Sequence, residues 1–179
     1  MGRIFGRHGF TLLEIMSVIV IILILVILMI PAMNSIRSRA ERVKCTQNLR
    51  NLHVAASSYV REKGHWPQIS PQLIRSENSS HQYSSEWIAA LEGYGISKEG
   101  WVCPTMQRLM GNPNIQKLED QRVDYIATPF DSVPFTPFRW TTQPWFIEKG
   151  DVHGKGNLLL FPDGSVQAMT EVRKFSSPQ

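Results

Sequence analysis

The chain has 179 residues, of which 42% are hydrophobic, and a formal net charge of +4. This length is typical of one domain with short additional segments. The small net charge, without a basic face interleaved with aromatic residues and without a known nucleic-acid-binding motif, excludes nucleic acid as an expected partner.

The first predicted element is a membrane-spanning helix. Residues 15–35 form an uncharged run of 21 residues, which at about 1.5 Å per residue crosses the roughly 30 Å hydrocarbon layer once. A cleaved secretory signal has an apolar core of only about 7–15 residues, followed by a small-x-small cut site. The segment "IPAMNSIRSR" is a poor cut site, so we interpret the run as a membrane anchor. Basic residues on both sides favour contact with anionic lipid or with partner subunits.

A single carboxylate lies at the start of this run. Glu14 is the only charged residue between Phe10 and Met33. At mid-bilayer a carboxylate costs roughly 2.5–3.5 kcal/mol on insertion scales, and less near the edge. A lone acid near a helix start is usually an interfacial residue, but an ionisable group in a spanning segment is also a candidate functional site.

The sequence around Glu14 resembles the processing site of a known family. A short basic leader followed by "GFTLLE", with Gly9, Phe10 and Glu14 at fixed spacing, is similar to type IV prepilins and pseudopilins. The resemblance implies that a prepilin peptidase and N-methyltransferase cuts between Gly9 and Phe10 and methylates the new amino terminus. It also implies a single-pass protein of the bacterial inner membrane, with a cytoplasmic leader and a periplasmic or otherwise extracytoplasmic head. Charge alone leaves this orientation open, because the C-terminal region is too long for the positive-inside rule.

The resemblance gives Glu14 a charged partner. Phe10 and Glu14 are four residues apart and share one helix face, so cleavage creates a cationic amino group beside the carboxylate. Glu14 also lies where the helix dipole favours an anion. The family implies an alternative partner, the amino terminus of a neighbouring pilin-like subunit, in a filament built by an inner-membrane assembly platform. Pro31 lacks an N–H donor, which predicts a kink where the helix leaves the membrane; local melting during filament assembly is the alternative.

Residues 34–63 predict a continuation of this helix, because Gly and Pro are absent until Gly64, a typical helix stop. The apolar positions form two stripes, which at about 100° per residue lie nearly opposite each other. The first stripe comprises Ile36, Ala40 and Val43, and the second comprises Cys45, Leu49, Leu52, Ala56 and Tyr59. We expect the second stripe to cover a globular head and the first to face neighbours; chance variation in a short window is the alternative.

The remaining residues, 64–179, predict a globular head rich in turn formers. A short helix is expected in "SSEWIAALEGY", with Ser84 or Ser85 as its cap. Its inward-facing residues are expected to be Trp87, Leu91 and Tyr94. Strands are expected within residues 123–127, 144–148, 157–161 and 165–169. We expect an irregular loop at residues 129–143.

The stretch "HGKGNLLLFPDG" is a second point of resemblance. His153, nine intervening residues, and then Asp163 and Gly164 are similar to the H-X9-DG C-terminal module of a large subgroup of prepilin-like proteins. The turn residues between the last two strands also predict an antiparallel hairpin. We expect a structural role, in which Asp163 binds its own turn amides, Gly164 adopts a positive φ and His153 packs back on the hairpin.

An acid–base or metal pair formed by His153 and Asp163 is the alternative, with calcium the metal considered at Asp163. No third ligand stands at metal spacing, and no nucleophile is indicated. We therefore expect no catalytic residue, no cofactor and no metal.

Cys45 and Cys103 are the only cysteines. In the oxidising compartment that the resemblance implies, a disulfide between them is expected, and two separately buried thiols are the alternative. The bond would close a loop of 58 residues (103 − 45 = 58) and stabilise the head by roughly 4 kcal/mol in the loop-entropy model.

Together these patterns predict an α+β, pilin-like fold with a long N-terminal α-helix packed on a small antiparallel β-sheet. The expected organisation is a leader at 1–9, a transmembrane helix at 10–33, an amphipathic continuation at 34–63 and a head at 64–179. The resemblance implies a structural, non-enzymatic pseudopilin of a type II secretion system or of a type IV pilus-like filament. Two alternatives remain: a membrane-tethered hydrolase or metal enzyme built around His153 and Asp163, and a single-pass binding or sensor protein that does not polymerise.

Overall fold

The computed structural model describes residues 11–74, 79–111, 122–154 and 156–175. Gly9 and Phe10, and with them the expected leader and cleavage site, lie outside these ranges. The described chain is α+β: an N-terminal apolar helix is followed by short helices and a four-stranded antiparallel sheet. The chain divides into two compact units, Met1–Arg39 and Ala40–Gln179.

A single helix, α1, extends over 52 residues from Leu12 to Lys63. It continues through residue 31, so the expected segments 10–33 and 34–63 both contribute to one element. The helix ends at the predicted glycine. Gly64 has a φ of +82° and donates its N–H to the carbonyl oxygen of Val60 at 2.8 Å. A glycine stops the helix here because other L-residues rarely adopt a left-handed conformation.

The first unit contains the apolar part of α1. Leu12–Met29 is long and apolar enough to cross a membrane: its mean hydropathy is 3.2 over 18 residues, and none of it is buried within the chain. Lipid and other protein chains are the environments that would cover such a surface.

The part of α1 that belongs to the second unit has a buried face. The residues of the predicted second stripe that are 0% exposed are Cys45, Leu49, Leu52 and Ala56. Tyr59 is partly buried against them. From the first stripe, Ile36 and Val43 are 66% and 69% exposed. The second stripe is therefore buried against the rest of the second unit, as expected, whereas contact of the first stripe with neighbours stays a prediction.

Four strands form one antiparallel sheet in chain order. They are β1 (Tyr125–Ala127), β2 (Phe146–Glu148), β3 (Leu158–Leu160) and β4 (Val166–Ala168). Each strand lies within a segment predicted to contain one. In the β3–β4 pair, Leu158 is opposite Ala168 and Leu160 is opposite Val166, which confirms the predicted hairpin. At the free edge of β1, the hydroxyl of Tyr83 accepts the N–H of Ala127 at 3.1 Å.

Four further α-helices lie in the described part of the head, besides 3₁₀ helices at Pro71–Ile74, Glu92–Tyr94 and Lys98–Trp101. They are α2 (Ser80–Leu91), α3 (Pro104–Met110), α4 (Thr136–Arg139) and α5 (Met169–Phe175). The prediction of Ser84 or Ser85 as the cap of α2 is wrong, because the helix already begins at Ser80. Ser84 lies inside α2, where its hydroxyl donates to the carbonyl oxygen of Ser80 at 2.9 Å. The expected irregular loop at 129–143 contains α4, whose first turn holds Pro137, a residue with a φ suited to a helix start.

The core of the head is built around clustered aromatic rings. Trp66 is fully buried, and its ring centroid lies 5.1 Å from that of Trp145 and 5.7 Å from that of Trp87. Phe146 of β2 lies 5.8 Å from Trp66. Rings of this size contribute much of the apolar area that stabilises a small core. Their packing fixes β2, and β2 carries the carboxylate at the centre of the site described next.

Candidate functional site

Four potential ligand atoms converge in the second unit. The sulfurs of Cys45 and Cys103, a carboxylate oxygen of Glu148 and a ring nitrogen of His153 all lie within 4.8 Å of one another. Cys45 belongs to α1 and Cys103 directly precedes α3, while Glu148 ends β2 and His153 lies in the loop between β2 and β3. Because Cys45, Cys103 and the Glu148–His153 segment are distant in sequence, only the folded chain brings the four side chains together.

The two cysteines of this cluster are joined by a disulfide. The Cα atoms of Cys45 and Cys103 are 5.3 Å apart, and both residues are 0% exposed. Of the two states considered from the sequence, the structure therefore contains the bonded one. The bond joins the buried face of α1 to the segment that leads into α3.

The peptide group between Val102 and Cys103 is held by buried polar side chains. Cys103 donates its N–H to Oδ2 of Asp124 at 2.9 Å, and Asn48 of α1 donates from Nδ2 to the carbonyl oxygen of Val102 at 2.9 Å. Arg122 pairs with the same aspartate, its Nε lying 2.8 Å from Oδ1. Burial raises the pKa of Asp124 even though the Cys103 N–H and Arg122 favour its charged form. These contacts fix the position of the Cys103 sulfur.

Glu148 places a carboxylate inside the head. It is 0% exposed, because the alternation of side chains along β2 puts it on the same face as Phe146. Its Oε1 lies 3.2 Å from Nε2 of His153, and its Oε2 accepts the N–H of Leu158 at 3.4 Å. Across the β1–β2 pair it is opposite Tyr125, and burial together with the charge of Glu148 raises the pKa of that phenol.

His153 contacts both the carboxylate and the disulfide through one atom. Its Nε2 is 3.2 Å from Oε1 of Glu148 and 3.7 Å from Sγ of Cys103. The side chain of His153 is only 2% exposed. The cluster is therefore shielded from water. Nε2 of His153 is close to both a carboxylate oxygen and a sulfur, two atoms that can ligate a metal.

The residues of the C-terminal motif lie at two separate sites: His153 is in the buried cluster, and Asp163 and Gly164 are in the β3–β4 turn. Asp163 lies in the β3–β4 turn, where its Oδ1 accepts the N–H of Ser165 at 2.9 Å, and hydrogen bonds from Ser165 lower its pKa. Gly164 has a φ of +80°, as the turn requires. Among the described residues, the cluster of potential ligands around His153 does not include Asp163. The polar contacts of His153 and Asp163 thus give no support to an acid–base pair formed by these two residues.

Two residues of these sites lie outside every motif singled out from the sequence. Glu148 is one, and the alternation that starts at Phe146 is a signal that would have found it. The other is His53 of α1, whose Nε2 lies 2.8 Å from the carbonyl oxygen of Pro162 and whose ring stacks on Trp145 at 5.0 Å. A Cβ on Gly164 would lie 3.4 Å from this ring. This is an ordinary van der Waals distance, so the positive φ, rather than lack of space, is what favours glycine at 164.

The structure describes only some of the N-terminal candidates. Glu14 lies in the first turn of α1, and its N–H lies 3.3 Å from Oγ1 of Thr11. Thr-x-x-Glu is the sequence of a capping box, and the contact of the Glu14 N–H with Thr11 is the threonine half of such a box. Pro31 lies within α1, and Gly9 and Phe10 are outside the described residues.

Comparison with known proteins finds no match: no family model, no curated protein and no solved structure is similar to this chain. Its sites are therefore interpreted from their own residues and geometry.

Proposed function

We propose that this chain is a pilin-like structural subunit, a pseudopilin of a type II secretion system or a related type IV pilus-like filament. One observation carries the proposal. Leu12–Met29 is an apolar segment none of whose residues is buried within the chain, and its first turn holds a carboxylate, Glu14. A helix of this kind suits storage of the subunit in the inner membrane and later packing against the helices of other copies.

The local structure around Glu14 does not explain why this residue is charged. A capping box needs a side-chain acceptor, which a neutral glutamine also provides. A carboxylate surrounded by lipid or by apolar helices is costly unless a cation neutralises it. The amino group liberated by cleavage before Phe10, in the same subunit or in a neighbouring one, supplies that cation.

Features of the second unit agree with this role. The helix that carries the apolar segment extends to Lys63. Within the second unit, its residues Val43 and Val54 are 69% and 61% exposed. Such residues are available for contact with neighbouring subunits. The Cys45–Cys103 disulfide suits a head exported to an oxidising compartment. A prepilin peptidase and an inner-membrane assembly platform are the partners that the proposal requires.

Two substitutions at one position separate assembly from helix capping. Glu14→Gln keeps an acceptor for the capping box and removes the charge, whereas Glu14→Leu removes both. Breaking a desolvated ion pair costs about 3–5 kcal/mol, so we expect both variants to enter filaments about tenfold less than wild type or worse. The fraction of subunits in sheared filaments or in detergent-resistant oligomers measures this effect in cells that possess the assembly machinery.

Processing is tested by the mass and first residue of membrane-extracted protein. We expect wild type to begin at N-methylated Phe10 and Gly9→Ala to remain uncut but inserted. If wild type begins at Met1 where the peptidase is active, the amino-terminal cation is missing and the proposal fails. If Glu14→Gln assembles normally while Glu14→Leu does not, the carboxylate acts only as a cap. If both variants assemble normally, the carboxylate is not needed for assembly and the ion-pair argument fails. If wild type forms no filament, a non-polymerising single-pass protein is the better description.

A further inference from the structure

We propose that the reduced head binds one Zn²⁺ ion through Cys45 Sγ, Cys103 Sγ, His153 Nε2 and Glu148 Oε1, and that formation of the disulfide releases it. The four ligand atoms lie within 4.8 Å of one another. Two thiolates, an imidazole and a carboxylate form a donor set that suits tetrahedral zinc and disfavours Mg²⁺ and Ca²⁺, which prefer oxygen ligands only. This site is independent of filament assembly.

The distances fit a tetrahedral zinc site closely. With Zn–S of about 2.3 Å and Zn–N and Zn–O of about 2.0–2.1 Å, a tetrahedron separates sulfur from nitrogen by about 3.6 Å and nitrogen from oxygen by about 3.3 Å. The corresponding distances are 3.7 Å for Cys103 Sγ to His153 Nε2 and 3.2 Å for His153 Nε2 to Glu148 Oε1. Opening the disulfide separates the two sulfurs and creates the remaining space. Two edges of the coordination shell are thus already in place.

The surroundings of the ligands are those of a structural metal site. Glu148 is 0% exposed, and a buried carboxylate is costly unless a positive charge balances it. A zinc ion supplies that charge, with His153 in the neutral form that ligates through Nε2 and keeps its proton on Nδ1. All four ligands come from the protein and are shielded from water, which leaves no coordination position for a substrate. The expected role is therefore to hold the head together while its cysteines are reduced.

Exchange between the two states is a balanced thiol–disulfide reaction. An organic disulfide accepts two electrons from the zinc-bound thiolates of Cys45 and Cys103, and the bond between these two sulfurs forms. Two protons from water convert the organic disulfide into two thiols, and Zn²⁺ leaves to the solvent. The same pair of sulfurs cannot serve both states, so zinc and the disulfide are mutually exclusive.

The experiment uses the full chain in detergent micelles. Wild type, His153→Ala and Glu148→Gln are purified with the disulfide formed, and their near-ultraviolet circular dichroism establishes that each variant is folded. His65→Ala is the matched control, because His65 lies outside the cluster and contacts the carbonyl oxygen of Trp66. Each protein is then reduced with a phosphine, its two thiols are counted, and Co²⁺ and Zn²⁺ are titrated separately.

We expect reduced wild type to bind one Co²⁺ with a thiolate-to-cobalt charge-transfer band and tetrahedral ligand-field bands, and Zn²⁺ to displace it. His153→Ala and Glu148→Gln should each weaken Zn²⁺ binding by at least about tenfold, while His65→Ala binds like wild type. Oxidised glutathione should release one Zn²⁺ for each disulfide formed. The proposal is overturned if fully reduced wild type shows no charge-transfer band. Equal Zn²⁺ affinity of the two ligand variants and wild type, or Zn²⁺ retained after both thiols have been oxidised, also overturns it.

Discussion

Reduction of the Cys45–Cys103 bond is expected to destabilise the head by about 4 kcal/mol. The bond closes a loop of 58 residues. Opening such a loop gives the unfolded chain about 14 cal/mol/K of additional entropy in the loop-entropy model, or about 4 kcal/mol at room temperature. Both cysteines are 0% exposed, so any repacking around the separated thiols adds to this loss.

Urea unfolding of the full chain in detergent micelles measures this loss, with and without a phosphine reductant and with a chelator that keeps metal out. Tryptophan fluorescence reports on the head, because Trp66, Trp101 and Trp145 are fully buried. With a urea dependence of about 2 kcal/mol/M, the midpoint should fall by about 2 M on reduction. The double variant Cys45→Ala/Cys103→Ala is the control and should not respond to the reductant. A loss below about 1 kcal/mol would refute the loop-entropy reasoning.

Two further predictions use the same unfolding assay. Leu52→Ala, at a 0% exposed position of α1, should lower the free energy of unfolding by about 2–5 kcal/mol. Val54→Ala, at a position 61% exposed, should change it by less than about 0.5 kcal/mol. Equal effects of the two substitutions would contradict the assignment of the buried face. Asp124→Asn tests the buried carboxyl. Because burial raises its pKa above the ordinary value of 3.8, the folded chain holds this proton more tightly than the unfolded chain does. The stability of wild type relative to Asp124→Asn should therefore fall as pH rises from about 3 to 7, and a difference that grows in favour of wild type would contradict this sign.

Much of the fold follows from local pattern. The uncharged run, the glycine after Lys63 and the spacing of apolar residues predict the helix, its end and its buried stripe. Short apolar segments separated by turn residues predict all four strands. Where local signals compete, the sequence is less informative: Ser84 looks like a cap, but α2 continues back to Ser80. Within residues 129–143, Phe135 adopts a left-handed φ of 57° and α4 follows it. No residue pattern in this segment predicts that turn.

The candidate cluster is less accessible to sequence reasoning for a physical reason. His153 belongs to a motif whose other members, Asp163 and Gly164, lie in a turn, so the motif suggests a pairing that the observed contacts do not contain. Glu148 carries a usable signal, since side chains two apart on a strand share a face and Phe146 is apolar. No local pattern, however, places Cys45 of a helix beside the end of β2. That contact depends on how α1 packs on the sheet.

The clustered indoles of the core have an optical consequence. Trp66 lies 5.7 Å from Trp87 and 5.1 Å from Trp145, with ring planes inclined at 57° and 58°. The transition dipoles of rings this close couple by exciton interaction, which splits one absorption band into a positive and a negative circular dichroism lobe. This couplet falls in the far ultraviolet, on top of the amide signal of the long helix. Helix content read from the amide bands alone will therefore be misjudged, and the couplet itself will disappear when the tryptophans separate.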